Sequence, residues 1–262
     1  MIRLFRKIRN QLLSENKYSI YILYATGEIV LVMIGILLAL QIDNWNGHRI
    51  EKQEVRLRLV SLKEALYEDN DFLSQTKSID QFRAHSLQHL LKLAGDSPIN
   101  FDISGVGTVP FEENWIWDET IPEDFNREFV EKAFSWSGRY LPMITNYKVI
   151  NELESTGIYS EIENKELKQA INHYYREVDW RMSHDEYRFT VEKWDELLIR
   201  KGVVWLDISN IDDPLDIIEE DPEATAILKR IILEAHFRAT SAEELKTRIE
   251  SIIHMINSEI SN

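Results

Sequence analysis

The hydrophobic pattern divides the chain into a short apolar stretch near its beginning and a long amphipathic remainder. Residues 20–42 are almost wholly apolar over 23 positions, IYILYATGEIVLVMIGILLALQI. A helix rises about 1.5 Å per residue, so this stretch reaches roughly 35 Å, slightly more than the ~30 Å hydrocarbon core of a bilayer. The pattern therefore predicts one transmembrane helix with a modest tilt from the membrane normal.

Beyond this stretch, apolar residues recur every three or four positions, a spacing typical of helices that bury one face. From Arg49 they predict a long helix that leaves the bilayer and loses its heptad-like pattern after Leu73. We interpret it as the first helix of a bundle, although a two-stranded stalk has a similar pattern. The other predicted helices are a second piece ending near Gly95, then residues 126–140, 143–155 and 165–200, and two closing helices at about 222–237 and 242–258.

The helical pattern disappears at about residues 96–125, a stretch that is rich in aromatic residues for a loop. Long ordered loops often carry function, so two roles are open. The aromatic side chains cap the edge of the bundle, which we favour, or they line a cleft or a partner surface. For the second role, the candidate binding residues are Phe111, Trp115 and Trp117.

Charge predicts the orientation of the transmembrane helix. Residues 1–19 carry five Lys or Arg and a single acid, Glu15, and basic flanks stay on the cytoplasmic side of a membrane. They also form a basic amphipathic segment suited to the inner leaflet. A cleaved signal peptide is disfavoured because no A-x-A site precedes Asn44. The expected fold class is mainly α, with an N-terminal signal-anchor helix at 20–42 followed by a helical-bundle-like extracytoplasmic domain at 43–262.

The predicted span contains one acidic residue, Glu28, whose ionised carboxylate is costly in hydrocarbon. On a helix, Gly35 and Ala39 project within about 20° of Glu28. Small residues four positions apart let two helices approach closely, and a protonated carboxyl group on that face can donate a hydrogen bond across the contact. We therefore predict a self-associating membrane helix. The alternatives are a lone helix whose Glu28 reaches the headgroups and, disfavoured for a single span, a proton or ion pathway.

Three segments resemble a known family. They are FRKIRNQLLSENKYS at 5–19, YATGEIVLVMIGILLALQIDNWN at 24–46 and, more loosely, YKVINELESTGIYSEIENKELKQAINHYY at 147–175. With its basic lead, the Gly-Glu pair inside the span and the closing Gln-Ile-x-Asn-Trp-Asn motif, the chain resembles uncharacterised single-pass membrane proteins of Gram-negative Bacteroidota, the family of domain of unknown function 6090. Asp43 stands where that family commonly has Asn. The resemblance implies an inner-membrane protein with its large domain in the periplasm, and it assigns no activity or functional residue.

Composition narrows the classes of partner. The formal net charge is −15, and only two of the 45 acids precede residue 43. The large domain is therefore strongly acidic, which makes nucleic acid an unfavourable partner. The chain has no cysteine, which excludes disulfides, thiolate metal sites and cysteine nucleophiles.

Two other patterns are candidates for metal chemistry. His85 and His89 share a helical face, but no third ligand is evident, so we interpret them as partly exposed polar histidines. The acid-rich segment 207–223 lacks the ligand spacing of a calcium-binding loop and is predicted to be a solvated linker. The sequence thus predicts no metal or other cofactor.

No motif indicates a reaction, so the sequence favours binding over catalysis. It predicts a membrane-anchored protein-interaction or scaffold module of the cell envelope, whose partners are the lipid bilayer, a second copy of the chain and an unidentified envelope protein. Two alternatives stay open. A polar pocket near Trp115 and Trp117 would favour a ligand-sensing domain working through a partner, and a His–carboxylate pair in a cleft would favour an envelope hydrolase.

Overall fold

The computed structural model describes residues 18–97, 99–101, 106–140, 142, 145–182, 185–205, 207–219 and 221–261. The basic amphipathic segment predicted at 1–19 lies outside the described residues, apart from its last two. Helices make up most of the described chain, which contains no strand and one isolated bridge between Val204 and Asp207. The prediction of a mainly α fold is confirmed.

The helices follow one another in a simple order along the described chain. They are α1 (Tyr18–Leu93), α2 (Arg127–Ser137), α3 (Tyr147–Ser155), α4 (Ile158–Glu161), α5 (Lys165–Met182), α6 (Asp185–Arg200), a 3-10 helix (Pro214–Ile217) and α7 (Pro222–Ser261). The chain divides into two units, residues 1–55 and 56–262, and the division falls within α1.

The described part of the 1–55 unit is the first portion of α1. Its large apolar side chains between Ile22 and Ile42 are exposed, most of them by more than half. Within the described chain one helix is long and apolar enough to cross a bilayer, and it is this one, with none of its apolar stretch buried inside the protein. By length and composition, the predicted span is confirmed as a candidate transmembrane helix.

The 56–262 unit has its own hydrophobic core. Helices α5 and α6 both pack on α7. From α1, the side chains of Leu59, Leu62, Leu66 and Leu73 are at most 1% exposed. This part of α1 is therefore buried against its own chain, as expected for a bundle helix and not for a two-stranded stalk.

Three helix boundaries differ from the prediction. The pieces expected before and after Leu73 are one helix, because the polar residues that interrupt the apolar pattern, Asp80 and Arg83 among them, are buried and hydrogen-bonded. The two closing helices are also one helix, α7, with Arg238 buried in its middle. The helix predicted over 165–200 is instead two helices, α5 and α6.

The acid-rich segment 207–223 is more ordered than the predicted solvated linker. Leu215 and Ile217 of its 3-10 helix are buried. The Asp213 carboxylate accepts a hydrogen bond from the Leu215 amide at 2.9 Å, and Asp221 accepts one from the Ala224 amide at 3.0 Å where α7 begins. Two of its acids therefore act as caps that begin helices.

Candidate functional site

Residues 106–125, the later part of the predicted loop, lie against α1 and α7 and are here called the aromatic loop. The Gln81 side chain of α1 donates a hydrogen bond to the Pro110 carbonyl. Lys77 of α1 forms ion pairs with Glu112 of the loop at 3.3 Å and with Glu243 of α7 at 3.2 Å. These polar contacts give the loop a fixed place although it contains no regular secondary structure.

The three candidate binding residues of the loop have different environments. Trp117 is 5% exposed and packs edge to face on Phe129 of α2, with ring centroids 5.0 Å apart. Phe111 is half-buried beside the same cluster. Trp115 is 64% exposed, and its ring meets that of Trp136 with centroids 5.4 Å apart. Trp117 and Phe111 therefore cap the core, whereas Trp115 is the one of the three available at the surface.

Beside Trp115 the surface combines aromatic rings with a cation. The Arg139 guanidinium carbon lies 4.3 Å from the ring centroid of Trp136 and 5.6 Å from that of Trp205. A Cβ at Gly138 would lie 2.8 Å from the Trp205 ring, so the close approach of this ring requires glycine. Stacked aromatic and Arg side chains lose little freedom on binding, which makes this surface a candidate for protein contacts.

Two histidines hold the aromatic loop to α1 and α7. His85 Nε2 lies 2.8 Å from the Val109 carbonyl oxygen, and the Val109 amide donates to Nδ1 of His236 at 3.4 Å. The two imidazoles meet edge to face with ring centroids 5.3 Å apart. Phe101 also contacts His236 edge to face, at a centroid distance of 4.9 Å. The sequence signalled His85, but it gave no sign that His236 would join it.

His89, predicted to be partly exposed, is instead buried. Its ring packs edge to face on Phe129 at a centroid distance of 5.4 Å, and it also hydrogen-bonds the backbone of Asp124. This face of α1 is covered by α2 and the aromatic loop, which the helical pattern alone did not reveal. No group of three or more metal-ligating side chains that suits a metal ion occurs among the described residues.

Burial keeps the three imidazoles neutral at neutral pH. It lowers the pKa of His236 to about 4, with a smaller contribution from His85. Burial also lowers the pKa of His85 and of His89. In each case a hydrogen bond to the backbone raises the pKa by a smaller amount. A general base works best with a pKa near the operating pH. The geometry therefore favours a hydrogen-bonding role for these groups over proton transfer.

The interior of the 56–262 unit contains a charged cluster that the sequence analysis missed. Asp80 and Arg83 of α1, Tyr187 of α6 and Arg238 of α7 are each at most 3% exposed. Arg83 and Arg238 both bind the Asp80 carboxylate, Arg238 through Nε at 2.9 Å, and Arg83 also donates to the Tyr187 hydroxyl. The arginines donate further hydrogen bonds to the carbonyls of Trp136, Arg139 and Met182. The cluster thus joins several elements inside the core.

A second buried acid, Asp69, lies on α1. It accepts hydrogen bonds from the Tyr174 hydroxyl at 2.9 Å and from the Asn146 amide at 3.0 Å. Burial raises the pKa of Asp69 and of Tyr174. Like Asp80, this acid interrupts the apolar face of a helix, and that interruption is the signal that could have marked both residues. A single sequence does not say which helix supplies the partner.

An open groove of about 650 Å³ lies between α5 and α7. Its polar wall includes Glu166, His173 and Arg176 from α5 and Arg248 from α7. His173 Nδ1 lies 2.9 Å from an Arg176 nitrogen. The guanidinium groups suit an anion, but among these lining residues no nucleophile is paired with an oriented base. Neither Trp115 nor Trp117 lines this groove, so it is not the polar pocket that would favour a ligand-sensing domain.

On the apolar part of α1, the candidate transmembrane helix, Glu28, Gly35 and Ala39 are exposed along the helix. A Cβ placed on Gly35 or on Gly27 would meet nothing within 4 Å. Leucine at either position is therefore compatible with the helix itself, so substitutions there probe contacts with other molecules.

Comparison of the chain with protein-family models, with curated proteins and with solved structures finds no match. The family resemblance seen in the sequence stays a prediction, and the function is inferred from the residues of this chain.

Proposed function

We propose that this chain is a membrane-anchored helical module of the bacterial cell envelope that acts by binding other proteins. In this proposal residues 20–42 cross the inner membrane, the basic lead stays in the cytoplasm, and the 56–262 unit works in the periplasm. The observation that carries it is the exposed apolar stretch of α1.

This stretch needs an apolar cover. Its large side chains are exposed along more than five turns of helix, whereas soluble monomers rarely expose contiguous apolar patches beyond a few hundred Å². Burying one Leu or Ile side chain contributes about 1.5–3 kcal/mol. Lipid covers all sides of such a helix at once, and its backbone groups are already paired within the helix. The Lys and Arg residues that precede it support a cytoplasmic N-terminus.

A binding role is favoured over catalysis by the way the unit uses its ionisable groups. The histidines with lowered pKa lie under the aromatic loop and hydrogen-bond its backbone. The acid with two arginine partners, Asp80, is buried in the core. In contrast, the ring of Trp115 is exposed and lies beside the half-buried Trp136–Arg139 stack, and aromatic and Arg side chains often anchor a protein partner.

The same proposal includes self-association through the face of α1 that contains Glu28, Gly35 and Ala39. Gly35 allows a second helix backbone to approach, and Glu28 on that face gains a hydrogen-bond partner that lipid cannot supply. Such a dimer would tether two copies of the binding surface to each other and raise their avidity for a partner.

The test is in-membrane crosslinking of the full chain, followed by affinity capture and identification of co-purifying proteins. Gly35→Leu and Glu28→Leu should reduce the crosslinked dimer. Gly27→Leu is the matched control. The substitution makes the same change in side-chain size as Gly35→Leu, but position 27 projects about 100° away from Glu28. It should leave the dimer intact.

A dimer that is lost in the first two variants and kept in the control, together with a reproducible envelope partner, supports the proposal. An equal loss of the crosslinked dimer in Gly35→Leu and Gly27→Leu would contradict association through the predicted face. A monomeric wild type without a partner contradicts a scaffold role, and would make small-molecule binding to the α5–α7 groove the next function to test.

A further inference from the structure

The aromatic loop is fastened to the helices by neutral imidazoles at both of its ends. Near its beginning, Val109 lies between two of them. Its carbonyl accepts a hydrogen bond from His85, and its amide donates one to His236. Near its end, the backbone of Asp124 hydrogen-bonds His89. Between these points, Trp117 covers the core cluster around Phe129.

We propose that His85, His236 and His89 form an acid-sensitive fastening that releases the aromatic loop when they are protonated. Release would uncover the apolar cluster beneath Trp117, whose buried members include Ile79, Phe82 and Phe129. The fold thus carries a switch that converts a covered surface into an exposed one as the pH falls.

For His236 the switch follows from the tautomer that its hydrogen bond requires. His236 Nδ1 accepts from the Val109 amide, so this nitrogen must be unprotonated, and the single proton of the neutral ring lies on Nε2. A second proton on Nδ1 would face the amide proton and destroy the hydrogen bond. His85 and His89 donate to backbone carbonyls and would keep those bonds when protonated, so their contribution is the cost of placing a positive charge in a buried site. His236 Nε2 and His89 Nε2 are both buried without a partner, so the added positive charge would not be compensated there.

The described charges around the three histidines do not stabilise their protonated forms. His85 and His236 face each other at 5.3 Å, and each disfavours a charge on the other. Lys92 opposes a charge on His89. Among the described residues no carboxylate forms an ion pair with any of the three imidazoles. The charged groups on the adjacent elements are engaged with each other: Lys77 with Glu112 and Glu243, Arg238 with Asp80, and Lys132 with Glu128.

The direction and size of the effect follow from proton linkage. Burial of the fastened ring, with a smaller contribution from His85, lowers the pKa of His236 to about 4 from its ordinary 6.5. In this proposal release exposes the ring and returns its pKa to the ordinary value, so protons favour the released state. The fastening is intact above pH 6.5 and weakens as the pH falls towards 4. For this one site, linkage predicts that the equilibrium constant for opening rises about 30-fold between pH 7.5 and pH 5.0.

Hydrogen exchange followed by mass spectrometry tests the switch on the full chain in lipid nanodiscs. Exchange is measured at pH 7.5 and pH 5.0 and corrected for the intrinsic effect of pH. Peptides spanning 106–111 should lose about 30-fold in protection at pH 5.0. Peptides from 242–256 of α7, part of the core, are the internal reference and should keep their protection.

Two variants assign the effect to the histidines. In His236→Asn, the side-chain oxygen replaces Nδ1 as an acceptor that does not titrate, so most of the pH effect should disappear. His85→Gln keeps a donor for the Val109 carbonyl and should reduce the effect as well. His254→Asn is the matched control, because His254 is exposed on α7, and it should behave as wild type.

Equal corrected exchange of 106–111 at the two pH values in the wild type would overturn the proposal. So would an acid effect of undiminished size in both His236→Asn and His85→Gln. Loss of protection in 242–256 to the same extent would show general unfolding in place of loop release, and would also overturn it. The wild-type comparison decides the question even if one variant fails to fold.

Discussion

Replacing Asp80 with Asn tests how the 56–262 unit is held together. The substitution keeps the size of the side chain and removes the negative charge that Arg83 and Arg238 share. Both guanidinium groups would then be buried near each other without their shared counter-charge. Their hydrogen bonds to backbone carbonyls would remain, so the loss isolates the electrostatic contribution of the carboxylate.

The expected cost is large because the whole cluster is buried. Removing one partner of a buried ion pair typically costs about 3–5 kcal/mol, since the remaining charge is left uncompensated. For a unit of this size, 1 kcal/mol shifts the thermal midpoint by about 2–4 °C, so Asp80→Asn should lower it by roughly 6–20 °C. Arg238→Met should cost less, because it leaves Asp80 and Arg83 as a neutral pair.

The assay is thermal unfolding of the full chain in detergent, monitored by tryptophan fluorescence and by circular dichroism. Glu223→Gln is the matched control. It breaks an exposed ion pair with Arg200, in which both side chains are 61% exposed. The substitution should lower the free energy of unfolding by less than about 1 kcal/mol. A midpoint for Asp80→Asn within a few degrees of the control, or a larger loss in Arg238→Met than in Asp80→Asn, would refute the reasoning.

Two further predictions concern packing and are read by the same thermal assay. Gly138→Ala places a Cβ 2.8 Å from the Trp205 ring and should destabilise the unit by about 1–3 kcal/mol, whereas Gly47→Ala, in open space on α1, should not. Trp117→Ala removes a ring that is 5% exposed and should cost about 3–5 kcal/mol. Trp115→Ala should change stability by less than about 0.5 kcal/mol yet weaken partner capture; equal losses of stability in the two tryptophan variants would contradict their different roles.

Features that depend on local sequence were predictable. The apolar stretch 20–42 stands out by length alone, and α1 contains it as expected. Asn164 precedes α5 and accepts a hydrogen bond from the Leu167 amide at 3.0 Å, and Asn is one of the residue types that favour this N-cap position. The buried leucines of α1 follow from helical spacing. In each case the determining contacts lie within one helix or one helical face.

Features that depend on which elements meet were not predictable. Asp80 and Arg83 interrupt the apolar face of α1, but their partner Arg238 is 158 residues from Asp80 in the sequence. Trp115 and Trp117 stand two residues apart in one loop, and nothing local separates the exposed ring from the buried one. His236 is paired with the loop only because α1 and α7 bring it beside His85.

Cysteine labelling of the membrane-bound chain tests the central claim most directly, because the natural chain has no cysteine and each introduced thiol is unique. One variant carries Ser14→Cys in the basic lead and another carries Glu250→Cys, an exposed position on α7. In spheroplasts, a membrane-impermeant maleimide should label Glu250→Cys at once and Ser14→Cys only after lysis, with both variants resisting alkaline extraction from the membrane. Release of the chain by alkaline extraction, or labelling of Ser14→Cys before lysis while Glu250→Cys stays protected, would contradict the account.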